Sequence, residues 1–180
     1  MPADNRGQII PSRYIRVPLW RRGAALLVDF MAVGLVSLVI STGAIAQLFV
    51  FMLGWMGLRV LLVSRNHGQS LGRWAFDMML VDGRSAGIPG LTELSLREAP
   101  LGFAVFLVLV GLVNFNPSTP WAPLLFIPLV ADASLAWLDP DKNQTFHDQW
   151  TQTLVVQSRR GYSLDLKIQR LLADLKRRVK

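Results

Sequence analysis

The chain has 180 residues, enough for one domain, and 52% of them are apolar while 17% are charged, against roughly 25% charged residues in an average soluble domain. It contains no cysteine, which excludes disulfides, thiolate metal sites and cysteine nucleophiles. The net charge of +7 is compatible with either nucleic acid or an anionic lipid surface as a partner.

The charged residues are segregated along the chain. Residues 23–58 contain one charged side chain, Asp29, and residues 99–131 contain none. A helix that spans a bilayer needs about 20 apolar residues, whereas a soluble core helix rarely runs so far without a charge. The sequence therefore predicts an all-α membrane protein with four transmembrane helices arranged as two hairpins, and lipid rather than nucleic acid as the partner.

The first predicted hairpin follows a basic N-terminal segment, residues 1–21, and contains spans at about 22–42 and 44–63. A basic start, an apolar run and the small residues of 44–46 also resemble a signal peptide with its cleavage site. The apolar run is longer than the usual core of a signal peptide and contains Asp29. We therefore favour a membrane span.

A polar loop, residues 64–98, joins the two hairpins and contains three local signals. The apolar residues 78–81 followed by Asp82-Gly83 predict a short β-hairpin against the membrane surface. Residues 153–156 predict another short strand, which could pair with 78–81. Ser95 stands three residues before Glu98, and this capping-box pattern predicts that the next helix begins there.

The second predicted hairpin has spans at about 97–114 and 121–138, and the membrane domain as a whole covers residues 22–157. The tail, residues 158–180, carries apolar side chains at helical spacing with lysine and arginine elsewhere. This pattern predicts a basic amphipathic helix on an anionic lipid surface. The alternative is a solvated helix packed on the protein itself.

Lysine and arginine are distributed unevenly among the predicted loops. Residues 1–22 contain five of them, 64–98 four and 138–180 nine, while the predicted outer turns near 41–46 and 114–120 contain none. Positive residues close to the ends of spans stay on the cytoplasmic side. The sequence therefore predicts that both termini are cytoplasmic.

Three charged residues are predicted at bilayer depth, where each costs about 2.5–3.5 kcal/mol on insertion scales. If the first span runs outward and the second returns, Arg59 comes back to the depth of Asp29 and can pair with it. Asp132 lies in the inner half of the last span, so the three are predicted to converge. They would form an ion or proton site, or a polar cluster that fixes the helix register, which we favour.

Three stretches of sequence then stand in a specific order. Arg22 opens the first span seven residues before Asp29, Gly-Gln-Ser-Leu-Gly at 68–72 follows the second span, and Gln-Thr-Phe-His-Asp at 144–148 follows the last one. Over about residues 20–157 this arrangement resembles the RDD family of small membrane proteins, which is named for one arginine and two aspartates.

The resemblance implies that Arg22, Asp29 and Asp148 occupy the signature positions. It also implies a cytoplasmic motif, made of Gly68, Gln69, Gly72, Gln144 and His147. An Arg22–Asp148 salt bridge would be bidentate and would clamp the tail to the first span. The family likeness implies a role in transport, which for some members is cation/proton exchange.

No Walker, Rossmann or nucleophile-elbow pattern occurs, and two histidines are too few for a convincing metal site. We therefore predict no enzyme activity, no cofactor and no metal. The predicted function is a transport component of a bacterial inner membrane, or alternatively of a thylakoid or other photosynthetic membrane, which assembles as a homo-oligomer. A non-catalytic accessory or assembly subunit of a larger membrane complex is the alternative.

Overall fold

A computed structural model of the chain describes residues 17–40, 43–138 and 144–158. The predicted N-terminal segment, except for its last residues, and the predicted amphipathic tail helix lie outside the described residues. In chain order the elements are α1 (Leu19–Ile40), α2 (Ala44–Arg65), α3 (Leu71–Ala75), β1 (Met78–Asp82), α4 (Leu91–Val113), α5 (Ile127–Leu138), α6 (Phe146–Trp150) and β2 (Thr153–Gln157).

Three of these helices, α1, α2 and α4, are long and apolar enough to cross a membrane, with 22, 22 and 23 residues. At 1.5 Å per residue each is about 33 Å long, which matches a hydrocarbon core of about 30 Å. Large apolar side chains on α1 and α2 point away from the protein, and Val39 is 86% exposed. Surfaces of this kind are stable in contact with lipid rather than water.

The fourth predicted span, 121–138, forms a shorter apolar helix than the other three. It begins as a 3-10 turn, Ala122–Phe126, which runs into α5, and its apolar helical stretch is Ala122–Ala136. Pro128 lies in the first turn of α5, where a missing N–H costs little. The structure thus confirms the first two predicted spans as helices of spanning length, whereas four full spans remain a prediction.

Helix α4 begins at Leu91, well before the start that the capping-box pattern predicted. The backbone N–H of Gly90 donates to Oε2 of Glu93 at 3.0 Å, and this contact closes the first turn. The predicted box at Ser95 and Glu98 is wrong, because both residues lie inside the helix and the carboxylate of Glu98 is buried among arginines.

Strands β1 and β2 form a two-stranded antiparallel sheet in which Met78 pairs with Gln157 and Asp82 with Thr153. This pairing of distant segments was predicted and is confirmed. The predicted local β-hairpin is wrong: Asp82 exchanges backbone hydrogen bonds with Ala86 and Gly87 in a turn, and no strand follows it among residues 83–90. The long-range pairing ties the segment after the last helix to the loop after α2.

The apolar core lies where α1, α2 and α4 pack together. Phe51 and Trp55 of α2 are completely buried, and their rings stack with centroids 5.7 Å apart. Val33 of α1 and Val105 of α4 complete the contact. Beside this core, towards α3 and the sheet, the helices carry their charged residues.

Candidate functional site

Asp29 lies in the middle of α1 and is completely buried. Its carboxylate accepts three hydrogen bonds, from Nη1 of Arg59 at 2.9 Å, from Oγ of Ser70 at 2.6 Å and from the backbone N–H of Gly72 at 2.7 Å. The predicted pair of Asp29 with Arg59 is therefore present. The N-terminus of α3 supplies the other two donors, from its N-cap residue Ser70 and from Gly72 in its first turn, so this loop folds back onto the first span.

Gly72 permits this close approach. A Cβ atom at this position would lie 1.9 Å from the carbonyl oxygen of Ala25 in α1, which is far inside van der Waals contact. Only glycine brings the α3 backbone close enough to donate to Asp29. The glycine of the motif is therefore part of the same site.

Glu98 of α4 is the second buried carboxylate, and three arginines surround it. It accepts from Nε of Arg59 at 2.7 Å, from Nη2 of Arg73 at 2.9 Å and from Nη1 of Arg97. Arg59 thus bridges Asp29 and Glu98, and its guanidinium also lies 4.9 Å from the centre of the Trp55 ring. This position gives Arg59 two charge-assisted contacts and a cation–π contact at once.

Asp148 of α6 is the third buried carboxylate. It accepts from Nη2 of Arg97 at 2.5 Å and from Nε at 3.2 Å, and it pairs with Nη2 of Arg22. Burial by itself would raise the pKa of Asp148, but Arg22 and Arg97 outweigh it and hold that pKa well below the usual range. The predicted Arg22–Asp148 clamp is present, with Arg97 as an additional partner.

Asp132 of α5 pairs with His147. The backbone N–H of His147 donates to Oδ1 of Asp132 at 3.0 Å, and Nδ1 lies 2.6 Å from Oδ2. Burial and the positive charge of Arg97 lower the pKa of His147, so it is neutral at pH 7. Asp132 therefore joins the network through His147 and not, as predicted, by converging directly on Asp29 and Arg59.

Together these side chains form one buried network with balanced charge. With His147 neutral, four arginines face four carboxylates, and the net charge of the set is zero. We call it the ionic network; its charged members are Arg22, Arg59, Arg73, Arg97, Asp29, Glu98, Asp132 and Asp148. Buried charges of this kind are tolerated only when paired, so each member depends on the others.

The remaining motif residues hold the backbone around the network. Gly68 has a φ of +80°, and a Cβ there would lie 2.4 Å from the carbonyl oxygen of Leu80. Nε2 of Gln69 donates to the Met78 carbonyl at 2.8 Å, and Nε2 of Gln144 donates to the Thr153 carbonyl at 3.2 Å. Gly68, Gln69 and Gln144 therefore fasten the loops to the sheet.

Sequence reasoning did not place Arg73, Arg97 or Glu98 in the site, and it assigned Glu98 to a capping box instead. Two signals were available: Arg97 and Glu98 are adjacent charges directly before the uncharged block 99–131, and Arg73 directly follows the 68–72 motif. Both signals also fit ordinary charges at the end of a span. Only the packing of α3 and α6 against α4 shows that these side chains are buried.

A cavity of about 520 Å³ lies beside the ionic network, between α1 and α5. One part of its wall is polar and includes all four arginines of the network, together with Asp132 and His147. The rest is apolar, with side chains such as Leu26, Leu101 and Leu129. Its size lies within the range of about 300–1,000 Å³ that small-molecule sites occupy.

The described part of the chain contains no group of three or more histidine, cysteine or acidic residues arranged to hold a metal ion. The comparison with known families is decisive for the class of protein: the model of the RDD family matches residues 16–152. The chain belongs to the RDD family. No curated protein and no solved structure matches it.

The matched range contains Arg22, Asp29 and Asp148, the residues that the resemblance assigned to the signature positions. In this RDD protein all three belong to the ionic network, but Arg22 pairs with Asp148 while Asp29 has other partners. Arg22 and Asp148 join α1 to α6, whereas Asp29 holds α3 and Arg59 about two helical turns further along α1. Arg97 and Glu98 of α4 connect the two ends. The chain is thus an RDD membrane protein whose signature residues organise a buried ionic network.

Proposed function

We propose that this RDD protein is a component of a membrane transport system and that the cavity between α1 and α5 is its substrate site. The observation that supports the proposal best is the position of the cavity. It lies against the ionic network and among apolar helices of spanning length. A cluster that only fixed the helix register would need no cavity of ligand size beside it.

The charges that line the cavity favour an anionic solute. Four arginines are among the residues that line it, whereas the only acidic residue of the described chain that does so is Asp132. Asp29, Glu98 and Asp148 are completely buried against their arginines and are not among the residues that line it. A cation/proton exchanger, as the resemblance implied, would need carboxylates exposed to the solute.

The pair of His147 and Asp132 would couple binding of the anionic solute to uptake of a proton. His147 lines the cavity and is neutral at pH 7, because burial and Arg97 lower its pKa. An anion that binds beside it stabilises the imidazolium form, since opposite charges within about 4–6 Å favour ionisation. Anion and proton would then move together and in the same direction.

Both termini are proposed to face the cytoplasm, and the membrane is proposed to be a bacterial inner membrane. The distribution of lysine and arginine supports this orientation. In the structure α3, the sheet and α6 contact the N-terminal half of α1. Three spans and a shorter fourth helix are few for a carrier, so we also propose a homo-oligomer.

A flux assay tests the transport proposal. Full-length protein is reconstituted into phosphatidylcholine vesicles that contain the pH-sensitive dye pyranine, and sodium octanesulfonate is added outside. This permanently charged anion does not cross a bilayer as a neutral acid. We expect faster internal acidification than in protein-free vesicles, while sodium chloride at the same concentration gives no such change.

Two variants make the result specific. His147→Gln should abolish the anion-dependent acidification, and Arg65→Gln, at an exposed position at the end of α2, should leave it unchanged. Sodium-dependent alkalinisation of the lumen would overturn the anion proposal in favour of cation exchange. If the wild-type protein moves neither protons nor anions, the transport proposal fails and the accessory role is favoured, with the ionic network acting as a clamp.

A further inference from the structure

The cavity has one polar wall and one apolar wall. Its polar wall is formed by one arginine from each of α1, α2, α3 and α4, together with Asp132 of α5 and His147 of α6. Its apolar wall comes mainly from α1, α4 and α5, of which α1 and α4 are long and apolar enough to cross a membrane. A ligand that satisfied both walls would need an anionic group at one end and an apolar body at the other.

Arg73, one of the arginines that line the cavity, has a buried donor without a partner among the described residues. Only 3% of the residue is exposed, and its Nη2 donates to Glu98, but its Nη1 is buried without a hydrogen-bond partner in the described part of the chain. Burial, aided by Arg59 and Arg97, lowers the pKa of Arg73 to about 9, so the guanidinium is still charged at pH 7. An unsatisfied N–H of a buried charged group costs free energy, which an anionic ligand would recover.

The entrance to the cavity lies on the helix surface and not at a polar loop. Trp20 and Gly23 of α1 and Val130 and Ala133 of α5 line it, and all four residues are exposed. In a bilayer these residues face lipid. A solute could therefore enter sideways, from the membrane, and leave its apolar part in contact with acyl chains.

We propose that the cavity between α1 and α5 binds an amphiphile with one anionic headgroup, a phosphate or carboxylate, which accepts a hydrogen bond from Nη1 of Arg73 while its alkyl chain lies along Leu26, Leu101 and Leu129. This inference rests on the proposed function, because it names the substrate class of the same site. It concerns binding, and binding can be measured without any transport.

The test uses radiolabelled dodecyl phosphate and the full-length protein in phosphatidylcholine nanodiscs, with binding to protein-free discs subtracted. We expect saturable binding of about one molecule per chain. Unlabelled dodecyltrimethylammonium, which has the same chain and the opposite charge, should not compete. Inorganic phosphate, which has no chain, should compete at least about tenfold more weakly, since it gains nothing from the apolar wall.

Two variants probe the two walls separately. Arg73→Gln should weaken binding by about tenfold or more, because a hydrogen bond to a charged group is lost, while Arg65→Gln should bind as the wild type does. Gly23→Leu narrows the entrance without touching the ionic network, since a Cβ at Gly23 meets no atom within 4 Å. It should also weaken binding, and Gly23→Ala should change it little.

The outcomes separate this inference from the proposed function. Equal competition by inorganic phosphate would show a site for free anions and overturn the amphiphile. Equal binding to wild type, Arg73→Gln and Gly23→Leu would show that dodecyl phosphate lies elsewhere and overturn the inference, even if the flux assay succeeds. Specific binding without any flux would support the inference and reject transport.

Discussion

Arg97 and Asp148, 51 residues apart in the chain, are joined by two hydrogen bonds, from Nη2 at 2.5 Å and from Nε at 3.2 Å. The same guanidinium also contacts Glu98, its neighbour in α4. Arg97 therefore connects the carboxylate that holds α6 with the carboxylate that holds Arg59 and Arg73. This relationship makes the two ends of the ionic network one unit, and the energetic predictions below depend on it.

The pair of Asp29 and Arg59 should be strongly coupled. Asp29→Ala leaves a buried guanidinium short of a partner, and we expect a loss of about 3–5 kcal/mol in the free energy of unfolding. Arg59→Ala should cost at least as much, because it uncovers both Asp29 and Glu98. In a double-mutant cycle measured by unfolding in detergent, the two effects should differ from additivity by about 0.5–3 kcal/mol. Strict additivity would contradict the pair.

Asp148 should contribute more to the stability of the fold than a partly exposed aspartate does. Asp148→Asn removes the negative charge that Arg22 and Arg97 share, so we expect a loss of about 3–5 kcal/mol and a lower melting temperature. The control is Asp82→Asn, at the partly exposed last residue of β1, where surface contacts are worth about 1 kcal/mol or less. Equal melting temperatures for the two variants would show that Asp148 does not hold α6 in place.

Gly72 should not tolerate even a methyl group. Gly72→Ala would place Cβ within 1.9 Å of the Ala25 carbonyl oxygen, so α3 must move away from α1 and its N–H must leave Asp29. We expect a clear loss of thermal stability, on the order of 1–3 kcal/mol. Gly57→Ala is the control, because its Cβ would meet nothing within 4 Å. That substitution should be neutral or slightly stabilising.

Stability should fall as the pH is lowered below about 6.5, the ordinary pKa of histidine. The pKa of His147 is lowered in the folded protein, chiefly by burial. In this window the unfolded chain takes up a proton that folded His147 does not, so the free energy of unfolding decreases as the pH falls. Melting temperatures between pH 5 and 7.5 measure the effect.

The histidine variants identify the source of that pH dependence. His147→Gln should flatten the profile in this range, whereas His67→Gln, in the exposed loop after α2, should leave its shape unchanged. A wild-type profile that is flat from pH 5 to 7.5, or a slope that survives in His147→Gln, would contradict a neutral buried His147.

The orientation can be tested by labelling, since the natural chain has no cysteine. Single cysteines at two exposed turns, Ser85→Cys after β1 and Ser118→Cys after α4, give a matched pair. In intact cells a membrane-impermeant maleimide should label the second and not the first, and cell lysis should expose both. The reverse pattern would place both termini outside.

The sequence alone was sufficient for those features of the first hairpin that depend on length and on hydropathy. The uncharged runs around Asp29 predicted α1 and α2 closely, because solvation by lipid is a property of a whole segment rather than of individual contacts. Counting residues through the first hairpin was enough to place Arg59 at the depth of Asp29. The short, mainly apolar runs at 78–81 and 153–156 likewise predicted the paired strands.

Only the tertiary structure decided the partners of Asp132 and Glu98. Asp132 contacts His147 instead of Arg59, and Glu98 is buried among arginines instead of capping a helix, because these outcomes depend on side-chain directions across 15 to 126 residues of chain. The cavity between α1 and α5 is likewise a property of packing. The free energy of solvation by lipid is a sum over the residues of one segment, so the local sequence is enough to predict it. Ion pairs and cavities depend on the relative placement of several elements, and no local pattern encodes that placement.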